Sequence, residues 1–441
     1  MAEAQSVDVD TFVNELKFNL FHVRVLAIAT TMMMIDGYDL ALVGWVLPNL
    51  AASFGVAPTA ITGALVTQQI GMVVGAYFIA PQADRFGRRP VLLFAVIGIA
   101  ISCSITTFAH DVATFALCRL VTGMFASTII ATLVALTTDI SPARLRGTIS
   151  TVVLTGSMGG AMLGALMQAF VLESYGWRGA FWIGAFLPVA MLPIIYFFLP
   201  ESLRFLVGRG RRDARFDRIV HAMRRGVAQP IVITEPVVPM VRATAREFLR
   251  YALHPERRTG TILLWLLFVC SFLFISTFSG WSTTLYKQMD GLNWQQLAVT
   301  TALYTGFGAI GTLTAGVMID RWGFKKVLPT LFLAAGVGVI VIGTTSSTTT
   351  LFAAIAAMAF FQVGAHSGMS ALAGAQFEAR WRASGVGWAY GAGRVTSILG
   401  PMLGATLIHL GTSKQVTFAL LGLPLLAGGL LPPFLLRRAR L

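Results

Sequence analysis

Two aspartates, Asp36 and Asp39, interrupt a run that carries no other charge from Val25 to Leu47. A carboxylate at bilayer depth costs about 2.5–3.5 kcal/mol on insertion scales, so it needs a cavity or a polar partner. Spaced three apart, the two acids occupy adjacent turns of one helix face. Desolvation and the neighbouring carboxylate favour the protonated acid, whereas a nearby arginine favours the ionised form. The chemistry open to such a pair is the loading and release of a proton, with the two groups titrating jointly. Two arginines, Arg119 and Arg394, lie inside other apolar runs. Arg119 falls about seven residues into its run, or roughly 10 Å below the surface at 1.5 Å per residue. That depth suits Asp39 better than Asp36. The pair is either a static tie between two helices or a proton-sensitive switch, and buried pairs are poor stabilisers in themselves. Arg394 is flanked by Gly391 and Gly393, and a guanidinium grips a carboxylate bidentately. It is expected to hold the anionic group of a substrate, or else to bridge to Asp36. His366 could line the same cavity, relay a proton or serve as a hydrogen-bonded core residue. Tyr38, Trp388 and Tyr390 could offer ring faces to an organic substrate or simply pack.

The elements that position these residues are membrane helices. Of 441 residues, 56% are hydrophobic and 12% charged, against about 25% charged in soluble domains. Twelve apolar stretches are long enough to span, the first at 24–49, the fourth at 112–138, the tenth at 350–372 and the eleventh at 384–408. The net charge of +14 does not indicate nucleic acid, because the basic residues are sorted by loop. With a cytoplasmic N-terminus, outward loops hold Arg178, Lys287 and Lys414, while nearly all the others fall on inward segments. This asymmetry follows the positive-inside rule and puts both termini in the cytoplasm. The polar start, 1–21, lacks the features of a signal peptide and reads as a disordered lead or short amphipathic helix. Cys103, Cys118 and Cys270 form no CxxC and read as small core residues, with no disulfide and no metal site. No nucleophile–base pair or metal-ligand spacing suggests an enzyme.

The predicted division is a cytoplasmic segment 1–23, a six-helix half 24–199, an arginine-rich cytoplasmic linker 200–258, a second six-helix half 259–436 and a tail 437–441. The linker reads as solvated chain with some amphipathic helix, with recognition of lipid headgroups as the sharper alternative. The halves echo each other. Gly75 precedes Asp84-Arg85-Phe86-Gly87-Arg88-Arg89 by the spacing with which Gly311 precedes Asp320-Arg321-Trp322-Gly323-Phe324-Lys325-Lys326. Arg146-Gly147-Thr148 is echoed by Arg382-Ala383-Ser384. Duplicated six-span units are a common architecture of secondary transporters, with the site near midplane between the halves. GxxxG spacings at Gly71 and Gly75, at Gly156, Gly160 and Gly164, and at Gly400 and Gly404 predict close helix contacts.

The segment from Gly75 to Arg89 resembles the loop motif of the major facilitator superfamily. The resemblance implies a cytoplasmic gate in which Gly75, Asp84, Arg85, Gly87, Arg88, Arg89, Asp139, Arg146, Asp320, Arg321 and Gly323 take part, closing the halves on the inside. Asp36-Gly37-Tyr38-Asp39, Pro200-Glu201-Ser202 and Arg382-Ala383-Ser384-Gly385 running on to Arg394 resemble signatures of the aromatic acid:proton symporter family within it. The chain departs from that pattern at Asp139, where the family has Glu. It departs again around Ile130-Ala131-Thr132, where a Pro-Asn is missing, and at Gly364-Ala365-His366, so the pocket differs from the usual one.

The resemblance implies an all-α integral membrane protein of twelve helices in two pseudo-symmetric halves. Its implied function is proton-coupled symport of an organic, aromatic carboxylic acid by alternating access. Asp36, Asp39 and Arg119 would couple the proton, and Arg394, His366, Tyr38, Trp388 and Tyr390 would bind the substrate. No cofactor is expected beyond the proton as coupling ion. The expected partners are the organic acid and the bilayer, with no nucleic acid, for a monomer in a bacterial inner membrane. The alternative is a proton-coupled exporter, or a transporter of a sugar, aliphatic acid or drug.

Overall fold

The computed structural model describes residues 5–142, 145–210, 214–223, 231–234, 245–377 and 381–435. Eleven helical segments among them are long and apolar enough to cross a membrane. They are span one (Leu20–Phe54), two (Pro58–Phe86), three (Arg88–Thr106), four (Val112–Asp139), five (Thr148–Ala165, within the helix Arg146–Phe170) and six (Ser174–Phe198). The second half supplies seven (Arg258–Met289), eight (Trp294–Trp322), nine (Phe324–Thr344), ten (Thr348–Gln376) and twelve (Lys414–Phe434). Span eleven is divided into Arg382–Thr396 and Leu399–His409, each too short to cross alone. With it the bundle has the twelve spans expected.

Helix ends follow the local chemistry. Asn19 caps span one by accepting from the Phe21 and His22 amides, and Gly55 closes it in the left-handed region at φ 65°, where a residue without Cβ fits at no cost. The turn between spans two and three is made at Gly87 (φ 107°), and its repeat between eight and nine at Gly323 (φ 76°). Span two is not a uniform helix. Thr62–Val74 passes into a π-helical turn, Gly75–Ile79, before the short helix Gln82–Phe86.

The repeat is visible in how glycines seat the helices. A Cβ at Gly75 would lie 1.9 Å from the Met124 carbonyl oxygen, and one at Gly311 would lie 2.1 Å from that of Phe360. Span two therefore meets four as eight meets ten. Gly37 and Gly160 let spans one and five touch backbone to backbone, while Gly400 and Gly404 press on Ser276 and Trp281 of span seven. Two contacts join the halves near the end of the bundle remote from the chain termini. Gly44 abuts the Ser279 carbonyl and Gly280 meets Leu65. Deeper in, Thr305 of span eight donates to the Met162 sulfur of span five at 3.7 Å.

Outside the spans the chain adds some structure. Gln5–Asp8 pairs in parallel with Ile231–Thr234, so the N-terminal segment is a strand followed by a helix, Val9–Glu15, rather than a disordered lead. The linker holds the helices Leu203–Gly208, Ala214–Met223 and Ala245–Ala252. The Asn19 side-chain amide donates to the carbonyls of Ala222 (3.4 Å) and Met223 (2.9 Å). One side chain thus caps span one and fastens the last turn of the linker helix to it.

Candidate functional site

Arg119 is wholly buried at the meeting of spans one, three, four and six. Its Nη1 lies 3.2 Å from Asp39 Oδ1, and Nη2 donates to Thr106 Oγ1 at 2.9 Å. The guanidinium sits 4.7 Å from the centroid of Phe181 and 5.8 Å from that of Phe115. The Cys103 thiol donates to the same Asp39 oxygen at 3.1 Å. An ion pair clasped between two rings and a thiol is desolvated on every side, and its worth rests on those partners being complete.

Asp36 has a different environment. It is 1% exposed, and neither carboxylate oxygen has a hydrogen-bond partner among the described residues. Its charged neighbours are Asp39 on its own helix and Arg394 across the interface between halves. No salt bridge joins Asp36 to Arg394 among the described residues. The Arg394 Nη1 instead donates to the Met72 sulfur of span two at 3.5 Å, a weak acceptor. Each half therefore presents one incompletely partnered charge toward the other.

Around Arg394 the second half assembles a lined wall. Tyr390, one turn away, packs its ring on Phe268 (5.1 Å) and Phe272 (5.8 Å) and bonds Ser370 Oγ through its hydroxyl at 2.8 Å. His366 lies 5.2 Å from Phe272, and its Nδ1 bonds the buried Ser271 Oγ at 3.0 Å. Gln362, buried in the same helix, accepts from the Tyr304 hydroxyl at 2.8 Å and leaves its Nε2 unpartnered. Gln362, His366 and Ser370 recur every fourth residue, so they form one polar stripe along span ten. Gln362, Ser370, Ser271 and Phe272 were not singled out from sequence. The stripe had a signal, namely polar residues at i, i+4 and i+8 in an apolar span.

Two proposed ring contacts lie elsewhere. Tyr38 is fully buried, with its hydroxyl donating to the Ala180 carbonyl at 2.8 Å, so it packs spans one and six together. Trp388 stacks on Phe248 of the linker and on Trp265. In a helix, residues 388 and 394 differ by about 240° at 3.6 residues per turn, so Trp388 cannot share the face of Arg394.

The loop residues form a network inside the first half. Asp139, at the end of span four, accepts from Arg88 Nε at 2.9 Å and Ser202 Oγ at 2.6 Å, with Arg204 at 3.9 Å. Arg88 also meets Asp84 at 3.2 Å. Glu201 accepts from the amides of Arg88 (2.9 Å) and Arg89 (3.3 Å) and so caps span three. Burial pushes the Glu201 carboxyl above its ordinary range, while these amides and that of Ser202 pull against it. The Arg85 carbonyl accepts from Arg209. The expected inside lock between halves is not formed here, since Asp320 and Arg321 are exposed and make no ion pair among the described residues. The side chain of Arg146 lies outside the described residues.

Twelve spans in two repeated halves, with facing charges buried between them, define a multi-pass membrane protein of the two-half transporter class. The sequence matches the Major Facilitator Superfamily over residues 29–313 and 292–440. It is 30% identical over 431 residues to a gallate transporter of Pseudomonas putida, covering 96% of this chain and 94% of that one. It is 30% identical to a 4-hydroxybenzoate transporter of the same organism, covering 95% and 93%. The fold is similar to that of a D-xylose-proton symporter, with TM-score 0.71 at 16% identity, covering 93% of this chain and 97% of that one. The chain belongs to the major facilitator superfamily, within its aromatic acid transporter family.

Proposed function

We propose that the protein imports an aromatic carboxylic acid together with a proton, and that Asp36 carries the proton. The observation behind this reading is a buried carboxylate without a partner, opposed across the interface by a guanidinium whose one protein acceptor among the described residues is a thioether. In the empty state Asp36 serves as the distant counter-ion of Arg394. A substrate carboxylate that binds Arg394 bidentately takes over that role. Asp36 then faces an unpaired charge in an apolar interior, which is costly unless it takes a proton. One guanidinium contested by two anions thus makes substrate binding and protonation mutually favourable, and the coupling is reciprocal. Asp39 is the weaker candidate because its pair with Arg119 keeps it ionised.

Phe272 and Tyr390 would supply ring faces to the substrate, and the stripe of Gln362, His366 and Ser370 would meet its polar substituents. The gallate and 4-hydroxybenzoate transporters among its relatives support this choice of substrate class. The fully loaded carrier holds no uncompensated charge, which lowers the barrier to rocking the halves.

Binding of 4-hydroxybenzoate to the purified protein in weakly buffered detergent should take up about one proton per substrate, read with a pH dye. Asp36→Asn should still bind but take up none. Proton uptake that persists in Asp36→Asn, or that is missing from the wild type, overturns the reading.

A further inference from the structure

The largest cavity lies away from the interface between halves. A pocket of about 660 Å³ opens at the end of the bundle that carries the N-terminal segment and the linker. Its floor is formed by the ends of spans one, three and six, and its remaining wall by the linker helix Ala214–Met223, which contributes Arg218, Ile219 and Ala222. That wall exists because Asn19 fastens the helix in place.

Three arginines from three separate elements line it: Arg24, Arg89 and Arg218. The acid in the lining is Glu201, whose oxygens are already bonded by backbone amides. Arg89 stacks on Tyr196 and bonds its carbonyl, and its Nε is buried without a partner. A neighbouring hollow, sharing Phe86 and Phe205, adds Arg85 and Arg209. The rim is apolar and turned outward, with Phe197 74% and Phe86 59% exposed on the flank of the bundle.

Cationic walls beside an outward apolar rim suit a ligand with an anionic head and a greasy body. We infer that this pocket binds the phosphodiester of an anionic glycerophospholipid, its acyl chains lying along Phe197 and Phe86. Guanidinium groups bind phosphate oxygens bidentately, and basic residues near the surface attract anionic lipid. The bound lipid closes the gap between the first half and the linker helix. It therefore holds the start of the tether between halves against the spans.

The test is thermal unfolding and lipid retention of the full chain in detergent. Phosphatidylglycerol should raise the melting midpoint and be retained through purification, and phosphatidylcholine of the same chain length should do neither. The triple variant Arg24→Gln, Arg89→Gln, Arg218→Gln should lose the preference. Arg218→Gln alone, outside the spans, should lower phosphatidylglycerol affinity by about fivefold and keeps the test readable if the triple variant misfolds. Equal effects of the two lipids, or a preference that survives Arg218→Gln at full strength, overturn the proposal. So does an equal shift from inorganic phosphate alone, which would make the site one for the free anion.

Discussion

At the scale of single residues, Asp36 and Asp39 share a helix face but not a condition. Asp39 is held by Arg119 and Cys103, and Asp36 by no group among those described. Their replacements should therefore fail differently. Asp39→Asn leaves Arg119 buried without its counter-ion and should cost about 3–5 kcal/mol of stability, read as a lowered melting temperature. Asp39→Asn combined with Arg119→Gln should recover part of that loss, because the uncompensated charge is gone. A double variant no more stable than the single would show that the rings and thiol, not the charge balance, hold the cluster. Asp36→Asn should melt close to the wild type, since it removes no bond, yet lose accumulation driven by a proton gradient while keeping substrate exchange. Transport assays with and without the gradient check this. These four buried charges were legible in the sequence because charge inside an apolar run is rare. The fates of Tyr38 and Trp388 were not. An aromatic residue suits a core, a lipid face or a binding site equally, and which face of its helix meets which neighbour is set by packing that no local pattern records.

At the scale of elements, glycine sets the distance between helices. Gly75→Ala and Gly311→Ala would each push a Cβ against a carbonyl oxygen of the facing span. Backbone cannot swing aside as a side chain can, so each should cost about 1–3 kcal/mol. Gly316, exposed in span eight with nothing within 4 Å of its missing Cβ, provides the control, and Gly316→Ala should be neutral or gain about 0.5–1 kcal/mol. Melting curves of the three variants decide the matter. The spacing of these glycines announced close contacts, and their correspondence between halves followed from the repeat. The division of span eleven around Ser397 was not foreseen. Its residues keep an apolar run from Val395 to Leu410 broken only by small and polar side chains, and hydropathy averages over such a break.

At the scale of the whole molecule, the halves touch at the end remote from the termini through Gly44 with Ser279 and Leu65 with Gly280. Opening toward that end must separate these pairs. Leu65→Cys with Gly280→Cys places two thiols where a disulfide can form. Oxidation should then stop uptake and reduction restore it, whereas either single variant should be insensitive to oxidant. Uptake that continues with the cross-link formed would mean that the halves do not part there. The two-half architecture was readable from the motif copies, from Gly75 to Arg89 and from Gly311 to Lys326. That one copy is fully wired to its neighbours and the other bare was not readable, because the partners, Asp139, Glu201 and Arg204, lie far away in sequence.

The π-helical turn at Gly75–Ile79 explains how one spelling yields two outcomes. Both motif copies place Asp the same number of residues after Gly, but span eight counts them in regular α-turns while span two inserts a wider one. One surplus residue advances everything after it by about 100° around the axis. The first loop is thereby out of phase with its twin, and this offset is what aims Arg88 at Asp139. Identical text has been read in two frames, and a single-residue deletion within the turn would bring the first copy into the register of the second.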